Sequence, residues 1–280
     1  RKGEYMVFTD KFKFIVCIDS DGCAMDTMDI KHIQFFGPLA AEIFAIKDKT
    51  KFLEEWNRIN LFSKTRGINR FKGLLLGLKF AEQNGESVGD YTVFQKWCDE
   101  TLSLSNQSLE EAYADSLDPV LKKALEWSKA VNNGIESELK GKDRPFEGVK
   151  EALEIISQSA QIAIVSSANS EAVNSEWERH GLMPFVSEFF GQERGSKFAA
   201  IKEIKSQGFS PENILMIGDA PGDLEAAKNN DVHFYPILYG KEKESWSNLI
   251  NGVLKEFLDN KYDDSKYQEV YFKHLEKAKK

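Results

Sequence analysis

Three short apolar runs each end in polar residues that could form one reaction centre. Such continuous runs are typical of strands buried on both faces of a parallel sheet, where ligands bind beyond the carboxyl ends of the strands. We therefore expect the polar endings to meet at one edge of the sheet. Phe14–Ile18 leads into Asp19-Ser20-Asp21-Gly22, Ile162–Val165 leads into Ser166, and Ile214–Ile217 leads into Gly218-Asp219-Ala220-Pro221-Gly222-Asp223.

The first of these endings has the composition needed for cleavage of a phosphate ester. That reaction needs an oxygen nucleophile, a proton donor for the leaving group and positive charge around the transferring oxygens. Asp19 and Asp21 are two positions apart and would face the same side of a strand, and Gly22 permits a sharp turn after them. One carboxylate can attack phosphorus to form an acyl phosphate, while the other protonates the departing alkoxide and then deprotonates water.

The remaining acidic residues predict a metal site. Asp219 and Asp223 would repel both Asp19 and a phosphate unless a divalent cation lies among them. Mg²⁺ prefers oxygen ligands and completes its shell with substrate phosphate and water, so it is the expected cofactor. Lys197 and the hydroxyl of Ser166 are the expected contacts to the phosphoryl oxygens, because they offset the remaining negative charge.

These motifs resemble those of the haloacid dehalogenase superfamily, in the branch with a helical cap inserted after the first strand. The DxDG, Ser, Lys and GDxxxD motifs occur in the family's order over about residues 14–240. The resemblance implies that Asp19 is the nucleophile and that Asp21 is the general acid and base, with a backbone carbonyl that also ligates Mg²⁺. It further implies phosphoryl contacts from Ser166 and Lys197 and metal contacts from Asp219 and Asp223. Cys23 departs from the pattern, since many relatives have Thr or Val there.

Several of these residues also have simpler interpretations. Ser166 is a good turn or N-cap residue, and Ser167 beside it could exchange roles with it. Lys197 could be a solvated residue in a first helical turn. Asp223 could contact the metal directly, act through a water molecule, or cap a helix. Gly22 and Ser167 are included among the expected substrate-binding residues.

A positive segment within the predicted cap adds two candidates for binding an anionic substrate. The segment Ser63-Lys64-Thr65-Arg66-Gly67-Ile68-Asn69-Arg70 lies between two helical stretches. Arg66 and Arg70 could hold an anion through bidentate contacts if the segment lies over the site. The alternative is a solvated loop in which Asn69 caps the following helix.

The presence of Asp21 helps to distinguish between the reactions that this family catalyses. Family members that cleave carbon–halogen bonds lack this second Asp, so its presence favours phosphoryl transfer. The preferred interpretation is a Mg²⁺-dependent phosphatase that acts on a small phosphomonoester through an aspartyl phosphate on Asp19. A phosphomutase of a sugar phosphate is the main alternative, and a dehalogenase or a non-catalytic binding protein is less favoured.

The alternation of elements from about residue 145 predicts a doubly wound, Rossmann-like α/β fold with a parallel sheet. Residues 1–23 and 145–260 would form this discontinuous core. Helical periodicity dominates residues 24–144, which predicts an inserted all-helical cap. Residues 261–280 are expected to form a surface helix and a tail, with disorder around Lys277–Lys280.

Composition limits the setting in which the protein acts. The 280 residues carry a formal net charge of -8, which argues against general nucleic-acid binding and leaves a small substrate held by local positive charge as the better interpretation. Together with the phosphate chemistry of the motifs, this makes a small phosphorylated metabolite the expected partner. Three cysteines without paired spacing indicate a reducing cytoplasm, and Cys17 within an apolar run is expected to be buried. No run approaches the ~20 apolar residues that span a bilayer, so no membrane association is expected. The sequence leaves the oligomeric state and the identity of the substrate open.

Overall fold

The computed structural model describes residues 12–139 and 141–277, and these fall into two compact units. The α/β unit contains residues 12–26 and 143–277, and the helical unit contains residues 27–142. The chain thus passes between the units after residue 26 and after residue 142, whereas the sequence placed these passages after residue 23 and after residue 144. On the α/β side the two crossing segments are joined to each other, because Asp26 N donates to Arg144 O at 2.8 Å and the two side chains form an ion pair at 2.8 Å.

A five-stranded parallel sheet forms the centre of the α/β unit, which confirms the predicted fold class. The strand order is β3-β2-β1-β4-β5. In this register Ile18 of the central strand is level with Ile164 on one side and Ile217 on the other, so the polar residues after these strands emerge at the same edge. The strands are β1 (Phe14–Ile18), β2 (Ala160–Val165), β3 (Glu188–Phe190), β4 (Ile214–Gly218) and β5 (His233–Pro236).

The central strands are buried on both faces, which explains why β1 and β4 are continuously apolar. Val16 and Ile18 contribute to a cluster on one face, and Ile15 and Cys17 contribute to a second cluster on the other. All four side chains are fully buried. Burial raises the pKa of the Cys17 thiol to about 12, as expected for a small side chain packed in the core.

The helical unit has no strand among its described residues, as its periodicity predicted. The stripe at Phe71, Leu74, Leu75 and Leu78 is buried on one face of a single helix. The helices are α1 (Met28–Lys31), α2 (Gly37–Ile43), α3 (Lys49–Asn60), α4 (Arg70–Gln83), α5 (Thr92–Glu100), α6 (Asn106–Ser116) and α7 (Pro119–Gly134), with π-helical turns at His32–Phe36 and Ile135–Leu139.

Helices of the α/β unit cover the two faces of the sheet. They are α8 (Val149–Ile156), α9 (Ser170–Arg179), α10 (Lys197–Ser206), α11 (Pro221–Lys228), α12 (Glu242–Asn248), α13 (Leu254–Leu258) and α14 (Asp264–Lys277), with a π-helical turn at Leu249–Val253 and 3₁₀ turns at Met183–Phe185, Gln192–Arg194 and Pro211–Asn213. In the part of the chain that the structure describes, no helix has both the length and the apolar character needed to cross a membrane.

Two elements of the α/β unit begin next to prolines. Strand β3 contains only residues 188–190, and a 3₁₀ turn around Pro184 precedes it. Proline fixes its own φ and has no N–H to offer a neighbouring strand. Helix α11 begins at Pro221, because proline is favoured at the first helical position.

The C-terminal helix is more deeply packed than the predicted surface helix. Helix α14 buries Tyr271, which is 1% exposed and joins the cluster on one face of the sheet. Residues 278–280, for which the sequence predicted disorder, lie outside the described residues. The segment after residue 260 is therefore part of the α/β unit as far as residue 277.

Candidate active site

A tight loop directly after β1 holds Asp19 at the sheet edge. The backbone N–H of Asp19 donates to Ile217 O at 3.0 Å, which continues the pairing with β4 by one residue. Gly22 has φ +81°, a left-handed conformation that glycine adopts without strain. The loop closes on the carbonyl of Ser20, which accepts hydrogen bonds from the backbone N–H groups of Cys23, Ala24 and Met25.

Three carboxylates converge beside this loop. Asp19, Asp219 and Asp223 each place one oxygen so that these atoms lie within 4.8 Å of one another. The three residues are 6%, 1% and 0% exposed. The structure therefore unites the acidic residues of the first and last motifs, and Asp223 belongs to the group directly. The carboxylate of Asp21 is not a member of this group, and it is partly exposed.

The position of Asp223 depends on glycine at the end of β4. A Cβ added to Gly218 would lie 2.2 Å from the carboxyl carbon of Asp223, so only glycine leaves room for this side chain. Asp223 lies in the first turn of α11, where its Oδ2 accepts from Ala220 N at 2.9 Å. The GDxxxD spacing thus combines a close approach at its first residue with a helix-capping contact at its last.

Lys197 links the first and last motifs by charge. It is the first residue of α10, and its Nζ lies 2.8 Å from Asp19 Oδ2 and 2.6 Å from Asp223 Oδ1. Its side chain is only 10% exposed, so the interpretation as a solvated residue is excluded. The lysine partly neutralises a buried acidic group that would otherwise be strongly self-repelling.

The protonation of these groups reflects burial and mutual charge. Burial raises the pKa of Asp19 well above its usual range, and the charges of Asp223 and Asp219 act in the same direction against the lowering effect of Lys197. For Lys197, burial favours the neutral form, but the charges of Asp19 and Asp223 outweigh it and raise its pKa. The ammonium group is therefore charged, while the ionised form of Asp19 needs further positive charge.

The donor set of this cluster fits Mg²⁺. All three side chains offer carboxylate oxygens, which are the ligands that this hard cation prefers. When ionised, they carry three negative charges against the single positive charge of Lys197. A divalent cation would balance the remaining two charges and favour the ionised form of Asp19.

Ser166 and Ser167 lie beyond β2, at the same edge of the sheet. The N–H of Ser166 donates to Phe190 O at 2.9 Å, and its Oγ accepts from Ala168 N at 3.2 Å. Ser166 is 4% exposed and Ser167 is partly exposed. The structural interpretation of Ser166 as a turn residue is thus correct, and a turn of this kind fixes its side chain. Its contact to a phosphoryl group remains a prediction.

Arg66 and Arg70 both make contacts within the helical unit. Arg66 is 4% exposed and donates to Leu61 O at 3.0 Å, so the predicted solvated loop is wrong for this residue. Arg70 donates to Asn132 Oδ1 at 2.6 Å and lies over the ring of Phe36 at 4.9 Å. Asn69 caps α4 as expected, since its Oδ1 accepts from Phe71 N at 2.9 Å. Substrate binding by the two arginines remains a prediction.

Two tryptophans hold the Asp19 loop. Trp177 Nε1 donates to Ser20 Oγ at 3.0 Å, and Trp246 Nε1 donates to Cys23 O at 3.0 Å. Both indoles are fully buried. The backbone at Cys23 is thus anchored by the indole of a distant tryptophan. No sequence signal identifies these bonds, because the partners are more than 150 residues apart.

The fold and the acidic edge of the sheet indicate an enzyme with a doubly wound, Rossmann-like core and a helical insertion. The model of the haloacid dehalogenase-like hydrolase family matches residues 86–237, more than half of the chain. The chain therefore belongs to the haloacid dehalogenase-like hydrolases, as its motifs predicted. The match begins after β1, so the assignment does not depend on the Asp19 motif.

Comparison with individual proteins gives distant likenesses. A phosphoglycolate phosphatase of Vibrio cholerae is 24% identical over 160 residues, which span 49% of this chain and 71% of the relative. A protein of the same name from Aliivibrio fischeri is 28% identical over 101 residues, which span 34% of this chain and 44% of the relative.

Among solved structures, one described as a predicted phosphoglycolate phosphatase from Haemophilus somnus has a TM-score of 0.55 and 14% identity, covering 86% of this chain and 97% of that chain. A provisionally named β-phosphoglucomutase from Thermotoga maritima has a TM-score of 0.52 and 16% identity, covering 87% and 99%. These structures share the fold.

Proposed function

We propose that this hydrolase is a Mg²⁺-dependent phosphatase of a small phosphomonoester. The observation that carries the proposal is the buried group of Asp19, Asp219 and Asp223 with Lys197 bridging two of them. Such a group concentrates negative charge beside one positive charge, which suits a metal ion and a phosphate bound together. The curated relatives named phosphoglycolate phosphatases support the same reaction class.

In this proposal Asp19 attacks phosphorus and forms an aspartyl phosphate. The leaving alkoxide takes a proton from Asp21, which then removes a proton from the water that hydrolyses the acyl phosphate. Asp21 suits this role because its carboxylate lies outside the acidic cluster and is partly exposed. Lys197 and Ser166 hold the phosphoryl oxygens. Gly22, after β1, and Ser167, after β2, contribute to the binding of the substrate at the same edge of the sheet.

Asp19, Asp219 and Asp223 would hold Mg²⁺, together with the backbone carbonyl of Asp21. When bound, the ion supplies positive charge that draws the phosphate towards Asp19 and neutralises the transferring oxygens. Lys197 favours the ionised form of Asp19, in the same direction as the metal ion, and orients its carboxylate. Its Nζ already contacts the Asp19 carboxylate at 2.8 Å, so it approaches the position that a transferred phosphoryl group would occupy.

The test is release of inorganic phosphate from a panel of phosphorylated metabolites, with Mg²⁺ and with EDTA. 2-Phosphoglycolate enters the panel first because of the relatives' names. We expect phosphate release from a small ester that requires Mg²⁺ and falls at least about 100-fold in EDTA, since the metal supplies several kcal/mol of charge stabilisation. Equal rates in Mg²⁺ and EDTA would reject the metal requirement. Isomerised sugar phosphate without phosphate release would identify a mutase instead.

A further inference from the structure

The C-terminal helix lies beyond the range that the family model matches, yet it contacts the backbone of a residue in the acidic cluster. The family match ends at residue 237, and α14 begins at Asp264. Nevertheless, the hydroxyl of Tyr271 donates to Asp219 O at 3.0 Å. Asp219 also supplies one of the three clustered carboxylates. A helix outside the family match thus binds the backbone of a candidate metal ligand.

This contact is part of a firm attachment between α14 and the strand beside it. At the start of the helix, Asp264 accepts from Phe234 N at 3.0 Å and from His233 Nδ1 at 2.6 Å. Near its other end, His274 Nε2 donates to Tyr239 O at 2.8 Å. The ring of Tyr271 packs edge-on against Phe234 at 5.5 Å between centroids. The hydroxyl of Tyr271 is therefore held in a fixed position under the Asp219 loop.

One peptide group connects Tyr271 to two of the three carboxylates. The carbonyl of Asp219 accepts from Tyr271, and the N–H on the other side of the same peptide, at Ala220, donates to Asp223 Oδ2 at 2.9 Å. Hydrogen bonds at both ends of a peptide fix its orientation and polarise each other. The orientation of this peptide sets the Cα position of Asp219 and the donor that holds Asp223.

We propose that Tyr271 is a positioning residue for the metal site, acting through the peptide between Asp219 and Ala220. This inference rests on the proposed function, because it takes the acidic cluster as a Mg²⁺ site. Groups that orient metal ligands contribute to metal affinity without touching the ion. Tyr271 tightens Mg²⁺ binding in this way, and helix α14 belongs to the site as well as to the fold.

The test is calorimetric titration of Mg²⁺ into the unmodified protein and into Tyr271→Phe. This substitution removes one hydroxyl and keeps the ring that packs on Phe234. We expect the Kd for Mg²⁺ to rise about threefold to tenfold, the scale of one neutral hydrogen bond. The matched control is Tyr262→Phe, because Tyr262 OH donates in the same manner to Phe234 O at 2.6 Å, on β5 and away from the Asp219 loop. The control should have the same Kd for Mg²⁺ as the unmodified protein. Thermal unfolding in EDTA measures how much stability each variant has lost, and we expect the difference in Kd to remain when these losses are similar.

Two outcomes overturn the inference and leave the metal site in place. One is an unchanged Kd in Tyr271→Phe, and the other is an equal rise in Tyr271→Phe and Tyr262→Phe. The variant Asp219→Asn tests the site itself. If the unmodified protein and Asp219→Asn bind Mg²⁺ equally, or neither binds it, then the proposed metal site fails and the role of Tyr271 fails with it.

Discussion

Replacing Asp19 with Asn is expected to lower turnover by about 10⁴-fold or more, the scale on which loss of a covalent nucleophile lowers kcat. An amide has the same shape as the carboxylate but cannot attack phosphorus. The fold should remain intact. Because burial and the neighbouring acids raise the pKa of Asp19, its ionisation at neutral pH opposes folding, and this effect grows as the pH rises from the unfolded-state pKa towards the folded one. The variant should therefore unfold in EDTA at a temperature equal to or above that of the unmodified protein.

The measurements are steady-state phosphate release with Mg²⁺ and thermal unfolding in EDTA. Asp26→Asn is the matched control, since Asp26 lies seven residues further along and pairs with Arg144 in a partly exposed ion pair. It should change neither quantity strongly, because exposed pairs contribute little. Full activity of Asp19→Asn, in protein shown by mass spectrometry to be free of deamidated chain, would contradict the assignment of the nucleophile.

Replacing Lys197 with Met is expected to affect activity and stability together. Its Nζ lies within 2.8 Å of both Asp19 and Asp223, and these side chains are almost fully buried. Removing one partner of a buried ion pair leaves uncompensated charge and costs about 3–5 kcal/mol. We expect a loss of this size in the free energy of unfolding in EDTA. Loss of the charge beside the phosphoryl group should also lower kcat/KM by about 10²–10³-fold.

Mg²⁺ should restore part of the lost stability of Lys197→Met, because the cation supplies positive charge to the same carboxylates. Denaturant unfolding with Mg²⁺ and with EDTA measures this difference. Lys205→Met is the matched control on the same helix, where Nζ of Lys205 donates to Asn230 O at 2.6 Å and contacts no member of the cluster. A loss of stability in Lys197→Met that is small, or that Mg²⁺ leaves unchanged, would argue against a charge-balancing role for Lys197.

The sequence was sufficient to place the carboxylates at one sheet edge because the strands that carry them are buried on both faces. Such strands are continuously apolar, so their ends at Ile18 and Ile217 stand out against the polar residues that follow. The sequence also predicted a sharp turn at Gly22, where the backbone of the loop has a positive φ. The membership of Asp223 in the cluster was left open, since it depends on the close approach to Gly218 and on the bond to Ala220 N.

The supporting contacts could not be predicted, because each joins residues that are distant in the chain. The sequence does not say which carbonyl or hydroxyl the polar atoms of Trp177 and Tyr271 reach, and for Tyr271 the prediction of a surface helix also missed its burial. The same limit applies to Arg66. Its positive charge suggested either a contact to an anionic substrate or a solvated loop, and neither interpretation predicted that its guanidinium donates to Leu61 O. Burial follows from periodicity, whereas hydrogen-bond partners follow from tertiary packing.

Trapping of the acyl phosphate would show whether Asp19 forms a covalent bond to phosphorus. The reaction is quenched in acid during turnover, treated with borohydride, which reduces an acyl phosphate to an alcohol, and digested with trypsin. Mass spectrometry of the peptide Phe14–Lys31 then locates the modified residue. We expect reduction at Asp19 that depends on substrate and Mg²⁺ and is absent in Asp19→Asn. Rapid turnover without any label, or a label on another residue of the peptide, would contradict it.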